Sequence, residues 1–397
     1  MRVAFYAPLK PPDHEVPSGD RHMARLLFQA IAAAGHEVEL ASHFRSRDGA
    51  GDPVQQERLA RVGLDLAERL LRRIRAQPQA WRPQAWFTYH LYYKAPDWIG
   101  PRVSEALDIP YLVAEASHAP KRATGPWALG HAAAARAIAA ADAVISLNPA
   151  DLEGLRPLVA DTERLVRLPP FLGPLGTTET PTHREPARRE IAARLGLDPE
   201  LPWLLAVAMM RPPDKLASYR LLGAALQELL ALPWHLIVVG DGTVRAEVEA
   251  ALAPLGRSRV AYAGRCSPEE LLQFYAAADL YVWPAINEAY GMALLESQAA
   301  GLPVVAGVDR GKGAGGGVAA IVADGETGLL TPVGEAAPFA AAVGRLLADA
   351  GLRTGLGVAA RRRVVARHGL DAAAARLDAV LSALPRDHAG PSGGRPA

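Results

Sequence analysis

The chain has 397 residues, half of them hydrophobic, and a formal net charge of +1 at pH 7. That length allows two or three domains with sizeable cores, and the near-zero charge gives no electrostatic case for nucleic acid or an acidic partner. The single cysteine, Cys266, excludes an internal disulfide and fits a reducing compartment. No apolar run reaches transmembrane length, and the opening MRVAFYAPLK is too short for a signal peptide, so a cytoplasmic protein is expected.

In chain order, RVAFYA predicts a strand, PLKPPDHEVPSGD a loop, and RHMARLLFQAIAAAG a helix with apolar residues at helical spacing that stops at Gly35. HEVELAS predicts the next strand, so the chain opens as a βαβ unit with a right-handed crossover. DLAERLLRRIRAQ (helix), AWFTYH (strand), APDWIGPRVSEALD (helix), IPYLVAEAS (strand), ALGHAAAARAIAAA (helix) and DAVISLN (strand) continue the alternation. Such a pattern predicts a parallel sheet covered by helices on both faces. Residues 173–187, GPLGTTETPTHREPA, have no apolar period and predict a linker.

A second alternating series follows: LPWLLAVAMM, ASYRLLGAALQELLAL, WHLIVVG, TVRAEVEAALAPLG, RVAYAG, SPEELLQFYAAA and DLYVWPA. The stretch NEAYGMALLE comes next and opens a helix, then PVVAG, a glycine-rich loop and GLLTP. Helices close the chain to about Leu381, and the tail predicts disorder. The fold class expected is α/β: two doubly wound halves facing each other across a cleft, with ligands at the carboxyl ends of the strands.

Four loops of the second half lie just after predicted strands. They carry Arg211 and Lys215; Gly240, Asp241 and Gly242; Gly264 and Arg265; and Glu288 with Gly291. Cationic side chains beside glycine-rich turns and helix N-termini suit a phosphate group. Gly291 lets the backbone N–H groups of Gly291, Met292 and Ala293 approach an anion closely. Glu288 in the loop and Glu296 in the second turn of the helix then flank that anion, and carboxylates accept well from the vicinal hydroxyls of sugars and ribose. Two glutamates at this spacing are also common on solvated helix faces; the ordered set of four loops is what favours a site.

YGMALLESQAAGLPVVAG with its two flanking glutamates, VVGDG, AGRCSPEELLQFYAAADLYVWPA and DGETGLLTP resemble, in order, the C-terminal half of glycosyltransferase family four. These are retaining enzymes of the GT-B fold, and the resemblance covers about residues 200–375. It implies an N-terminal, acceptor-side Rossmann-like domain over 1–172 and a nucleotide-sugar-binding Rossmann-like domain over 188–370. A helix over 371–385 would pack back on the first domain, and 386–397 form the tail.

By the same resemblance, Glu288 contacts donor-sugar hydroxyls, Glu296 holds the ribose, and Arg211 and Lys215 neutralise the diphosphate. Gly19, in PSGDR, resembles the N-terminal glycine loop that faces the diphosphate. His118, in AEASHAP, resembles the histidine near the anomeric carbon, and His90 is a candidate acceptor-side residue. The chain departs from the family pattern at LPPFLG, at the close spacing of Arg211 and Lys215, and in the glycine-rich stretch GVDRGKGAGGGVAAIV around Gly316 and Gly317.

The reading implied is a retaining glycosyltransferase that uses a nucleotide sugar as substrate. It needs no bound metal and no other cofactor, and its acceptor is a sugar, a lipid-linked or a small molecule. Alternatives are a related phosphorylase or a non-catalytic sugar-nucleotide-binding protein. A nicotinamide enzyme is disfavoured, since Arg245 stands where a third fingerprint glycine is needed. DLAERLLRRIRAQ is basic and amphipathic, so peripheral membrane contact is open, against a helix whose apolar face lies in a core. The aromatic residues of HLYYKAPDW suit a sugar or lipid acceptor, and equally a core.

Overall fold

The computed structural model describes residues 1–16, 18–148, 151–159, 161–174, 184–288, 291–309 and 316–384. The chain divides into two compact units, Met1–Pro169 with the segment from Leu370 onward, and Pro170–Gly369.

The first unit is built on six parallel strands: β1 (Arg2–Tyr6), β2 (Glu37–Ser42), β3 (Ala85–Leu91), β4 (Tyr111–Ala116), β5 (Ala143–Ser146) and β6 (Leu165–Arg167). Their order is β2-β1-β3-β4-β5-β6. Central β3, AWFTYHL, is buried except at His90, as expected of a strand covered on both faces. Edge strand β2 instead turns Glu37 and Glu39 outward.

The helices of this unit are α1 (Gly19–Ala33), α2 (Pro53–Arg75), α3 (Gly100–Leu107), α4 (Ala128–Ala140) and the short α5 (Leu152–Leu155). Ser18 caps α1 by accepting from the Arg21 amide, and Gly35 follows the helix with φ +84°. In α2 the apolar face, Ala67, Leu70, Leu71 and Ile74, is buried in the core, while Arg72, Arg73 and Arg75 are exposed. Core packing accounts for this apolar face of the amphipathic segment. No helix among the described residues is long and apolar enough to cross a membrane.

Helix α3 begins at Gly100, five residues later than its composition suggests. Asp97 is the reason. Its Oδ1 accepts from the amides of Ile99 (2.8 Å) and Gly100 (2.7 Å), and Thr88 and Tyr111 donate to Oδ2. A Cβ on Gly100 would lie 2.3 Å from Asp97 Oδ2. Burial raises the Asp97 carboxyl above its ordinary range, and these bonds oppose the shift.

The second unit repeats the plan with β7 (Trp203–Val207), β8 (His235–Val239), β9 (Val260–Gly264), β10 (Leu280–Trp283), β11 (Val304–Val308) and β12 (Gly328–Pro332). Its helices are α6 (Arg184–Leu195), α7 (Asp214–Gln227), α8 (Arg245–Leu252), α9 (Pro268–Ala277), α10 (Met292–Ala299), α11 (Gly316–Ile321), α12 (Ala336–Ala348) and α13 (Ala350–His368). The order is β12-β11-β10-β7-β8-β9. The chain winds outward from β7 in one direction and from β10 in the other, so the switch point lies between those two strands. Ser267 caps α9 with a full capping box to Glu270. The last helix, α14 (Leu370–Ala383), returns to the first unit and packs along α1, and Asp378 Oδ1 lies 3.2 Å from His36 Nε2.

The expected linker ends early: Arg184–Ala187 are the first residues of α6, and 175–183 lie outside the described residues. Helix α6 shows little apolar period because what it buries includes a charge, Arg188, beside Ala187, Ile191 and Ala192. The expected disordered tail, 386–397, and most of the glycine-rich stretch also lie outside the described residues; Gly316 and Gly317 begin α11.

Candidate active site

In a doubly wound sheet the crevice at the switch point is where ligands bind. Here it is formed by the chain after β7 and after β10, and the two bring Lys215 and Glu288 into an ion pair. Lys215 stands in the first turn of α7 and Glu288 in the loop after β10, and both side chains are largely enclosed, 18% and 13% exposed. Trp283, the last residue of β10, donates Nε1–H to the same Glu288 oxygen at 3.1 Å, and the Lys215 ammonium lies 5.4 Å from the centre of its ring. Tyr219 packs edge-on against that ring and bonds through its hydroxyl to the Ala208 carbonyl at 2.9 Å.

The loop holding Glu288 is itself held. Asn287, in the left-handed region with φ +49°, donates to Asp214 Oδ1 at 3.0 Å, and the Ile286 amide donates to Ser218 Oγ at 3.0 Å. Both acceptors belong to α7, so hydrogen bonds tie the two segments of the crevice together. Trp283, Tyr219 and Asn287 were not marked by sequence reasoning: the aromatics read as core, and the asparagine as an ordinary loop residue.

The glycines of VVGDG answer to close packing. A Cβ on Gly240 would lie 2.0 Å from the Ala208 carbonyl oxygen, and one on Gly242 2.1 Å from that of Met210. Backbone bonds from Met210 to Asp241 (2.9 Å), Val244 to Met210 (3.2 Å) and Gly240 to Gly264 (2.8 Å) lace together the loops after β7, β8 and β9. Asp241 is turned toward its own loop, accepting from the Gly242 amide and lying 3.8 Å from Arg245. Arg211 and Arg265 are exposed on these loops, and among the described residues neither side chain has a carboxylate partner.

Gly291 precedes α10 with φ +70°, and a Cβ there would meet Leu294 Cδ1 at 2.5 Å. Among the described residues no side chain caps the helix, and the first-turn amides, Met292 and Ala293 among them, have no partner in an ideal helix. Glu296 follows in the second turn. Part of its surface is open, yet its carboxyl is surrounded by protein and accepts from the Tyr275 hydroxyl at 2.8 Å. Burial pushes its pKa up to about 6, partly offset by that bond. Tyr275 reads in sequence as a core aromatic of α9, and only its hydroxyl shows the second role.

In the first unit, Gly19 opens α1 with free space where a Cβ would stand, so nothing in the backbone requires glycine there. His118, after β4, bonds through Nδ1 to the Gly154 carbonyl at 3.2 Å. A carbonyl only accepts, so Nδ1 carries the proton, and Nε2 holds the lone pair in the neutral ring. His131 lies 4.7 Å away, ring to ring, and burial first, then the charge of His118, lowers its pKa.

His90 ends β3 with φ +60°, its Nδ1 3.1 Å from Asp20 Oδ1, an ion-pair contact without good hydrogen-bond alignment. Burial pulls the imidazole pKa down, but Asp20, Glu115 and Asp151 outweigh it and leave it raised. Asp20 is correspondingly lowered, chiefly by the histidine. Asp151 is pushed up to about 6 by burial and by Glu115, against His90. These three acids were not singled out from sequence; Asp20, beside Gly19, was the one within reach of motif reasoning. Among the described residues no group of three or more His, Cys, Asp or Glu is arranged to hold a metal ion.

A family model described as Glycosyl transferases group 1 matches residues 202–349. The D-inositol 3-phosphate glycosyltransferase of Xylanimonas cellulosilytica is 31% identical over 332 residues, covering 78% of this chain and 75% of that one. Other proteins of that name match over about half of their length or less. Among solved structures, a sucrose-phosphate synthase from Thermosynechococcus elongatus superposes with TM-score 0.65 at 22% identity, covering 96% of this chain and 98% of that one. HepE from Anabaena, in complex with UDP, gives TM-score 0.69 at 16% identity, with 97% and 100% covered. The two parallel six-stranded sheets are those of the GT-B architecture, and the chain belongs to the group 1 glycosyltransferases.

Proposed function

We propose that this glycosyltransferase moves a sugar from a nucleotide-diphosphate sugar to its acceptor with retention of configuration and without a bound metal. The observation that carries the reading is the enclosed Lys215–Glu288 pair at the switch point, beside the uncapped start of α10. A diphosphate placed there meets the Lys215 ammonium, the α10 amides and the exposed guanidinium groups of Arg211 and Arg265. Those fixed positive groups stabilise the charge that grows on the leaving phosphate. The bond from the anomeric carbon to the phosphate oxygen breaks, the bond to the acceptor oxygen forms on the same face, and the acceptor proton passes to the departing phosphate.

Glu288 orients the donor-sugar hydroxyls and holds the ammonium in place, and Glu296 accepts from the ribose diol. His118, with Nδ1–H donating to the Gly154 carbonyl, can accept at Nε2 from a sugar hydroxyl. Release of nucleoside diphosphate from a nucleotide sugar in excess EDTA, with proton NMR of the new linkage, tests the reading. Undiminished release and an unchanged anomeric configuration are expected; an inverted product, or activity abolished by EDTA and restored by a divalent metal, contradicts it.

The raised pKa of Glu296 has a pH signature. Its carboxyl ionises less readily in the folded chain than in the unfolded one. The stability it contributes is therefore complete below its unfolded pKa and is lost as pH rises through about 6. A ribose diol donates to the ionised form, so nucleotide affinity should rise over the same interval. Calorimetric titration of UDP from pH 5 to 7.5 should show a steeper rise for wild type than for Glu296→Gln. Parallel curves would remove Glu296 from the nucleotide site.

A further inference from the structure

Trp283, at the end of β10, and Tyr275, on α9, are both almost fully buried. Each directs its one polar hydrogen at a site glutamate. Trp283 Nε1–H donates to Glu288 Oε2 at 3.1 Å, and the Tyr275 hydroxyl donates to Glu296 Oε2 at 2.8 Å. The Lys215 ammonium takes the same Glu288 oxygen. Among the described residues Oε1 of each glutamate has no partner, and neither atom is sealed from solvent. In both glutamates, then, the protein holds one oxygen and leaves the other. Buried tryptophan and tyrosine usually find some hydrogen-bond partner, and leucine or phenylalanine would fill the same places without a donor. What marks these two is that their partners are the two glutamates around the start of α10, with the same division of oxygens.

The two rings share a backing. Tyr281 and Trp283 stand two residues apart on β10, so their side chains leave the same face of the strand. Tyr219 packs edge-on against Trp283 with ring centres 5.0 Å apart, and Tyr281 lies 6.3 Å from Tyr275, centre to centre. These two tyrosines are anchored by their hydroxyls, Tyr219 to the Ala208 carbonyl at 2.9 Å and Tyr281 to the Val207 carbonyl at 3.1 Å, consecutive residues at the end of β7. One aromatic wall, drawn from α7, α9 and β10 and tied to β7, therefore fixes both carboxylates before a ligand arrives, and groups fixed in advance are the ones that act strongly on a reacting centre. Of the titratable groups around Glu296, Tyr275 on α9 and Tyr281 on β10 face it, and the Tyr275 bond favours its ionised form against burial.

We propose that Trp283 and Tyr275 are positioning residues of the donor site: each pins Oε2 of its glutamate, so that Oε1 of Glu288 accepts from a donor-sugar hydroxyl and Oε1 of Glu296 from the ribose diol. This rests on the glycosyl-transfer reading above. One carboxylate oxygen has two lone pairs and suffices for both hydroxyls of a diol. Without its aromatic donor each carboxylate turns about its own axis, and the oxygen that meets the donor is no longer fixed.

The test uses the full chain. With isotope-labelled glutamate, the Glu296 carboxyl, identified by its absence in Glu296→Gln, is titrated by NMR in wild type and Tyr275→Phe, and UDP is titrated calorimetrically over the same pH range. Without the tyrosine bond the carboxyl should titrate at higher pH than in wild type, and the rise in UDP affinity should move up with it. A merely structural loss would lower the affinity by one factor at every pH. For Trp283, initial rates of UDP release from UDP-glucose are compared in wild type, Trp283→Phe, Glu288→Ala and the double variant, each checked for folding by its melting temperature. Trp283→Phe should lose about ten- to hundredfold in kcat, the range for a hydrogen bond to a charged group, with donor KM within roughly threefold. It should lose nothing further once Glu288 is alanine, since a residue that acts through another is not additive with it. An unmoved carboxyl titration in Tyr275→Phe, or a full additional loss for Trp283→Phe in the Glu288→Ala chain, overturns the proposal. A carboxyl titration that moves in a chain that binds no UDP upholds the orienting bond and removes the donor reading.

Discussion

Glu288→Gln is expected to lower turnover about a hundredfold or more while the chain stays folded, because the substitution keeps shape and removes charge. The glutamine oxygen can still accept from Trp283, which now holds one Glu288 oxygen at 3.1 Å. It can no longer balance Lys215, whose ammonium is largely enclosed. The ammonium then moves away or draws the leaving phosphate into an unproductive position, and the donor hydroxyls lose their charged acceptor. Removal of a fixed electrostatic stabiliser costs about 10²–10³ in rate. The loss should appear in kcat more than in donor KM, since on the proposed reading Arg211, Arg265 and the α10 amides still meet the diphosphate. Initial rates of nucleoside diphosphate release check this. Turnover within threefold of wild type would remove Glu288 from the reacting centre.

The largest stability effect is expected at Arg188. Its guanidinium donates to the carbonyls of Pro199 (2.7 Å), Ala277 (2.6 Å) and Leu201 (2.6 Å) and to Asp279 Oδ2 (3.0 Å). It also stacks 4.2 Å from the centre of the fully buried Trp203 ring. Asp279 receives Arg184 at 2.5 Å and the Trp203 amide at 2.8 Å as well. This hub ties α6 to the start of β7 and to the turn between α9 and β10. Arg188→Met fills the space yet strands three carbonyls and half of a carboxylate. Breaking a buried pair from one side costs about 3–5 kcal/mol, or roughly 6–20 °C in the melting of a unit this size. Scanning calorimetry reads it, and Arg188→Lys should fall between the two because it keeps charge but not the fork. A drop of under about 2 °C for the methionine variant would show that the hub is not holding the unit.

Apolar runs carried most of the fold. All the strands except β6, the three-residue LVR, stand out in sequence because buried parallel strands are continuous runs such as HLIVV and LYVW. Helix α6 was hidden for the opposite reason: its inward face includes a charged residue whose partners, Pro199 to Leu201, Ala277 and Asp279, are distant in sequence. Boundaries failed where a side chain decides them, as Asp97 does for α3.

The site divides in the same way. The glycines and charged residues at strand ends in the second unit follow a local pattern, so Lys215, Glu288 and Glu296 could be singled out as candidates from it. What orients them was not. Trp283 and Tyr275 look like core until their polar atoms are seen to meet the two glutamates. In the first unit, Asp20, His90, Glu115 and Asp151 come from four separate segments, and no spacing rule joins them.

The central claim is that the unit Pro170–Gly369 binds a nucleoside diphosphate between Lys215 and Glu296. Calorimetric titration of UDP, GDP and ADP into wild type and Glu296→Ala at pH 7.5 tests it most directly. The account predicts that one nucleotide binds wild type clearly better than the others and loses at least about tenfold in the variant. Binding of none of them, or equal binding by the variant, would contradict it.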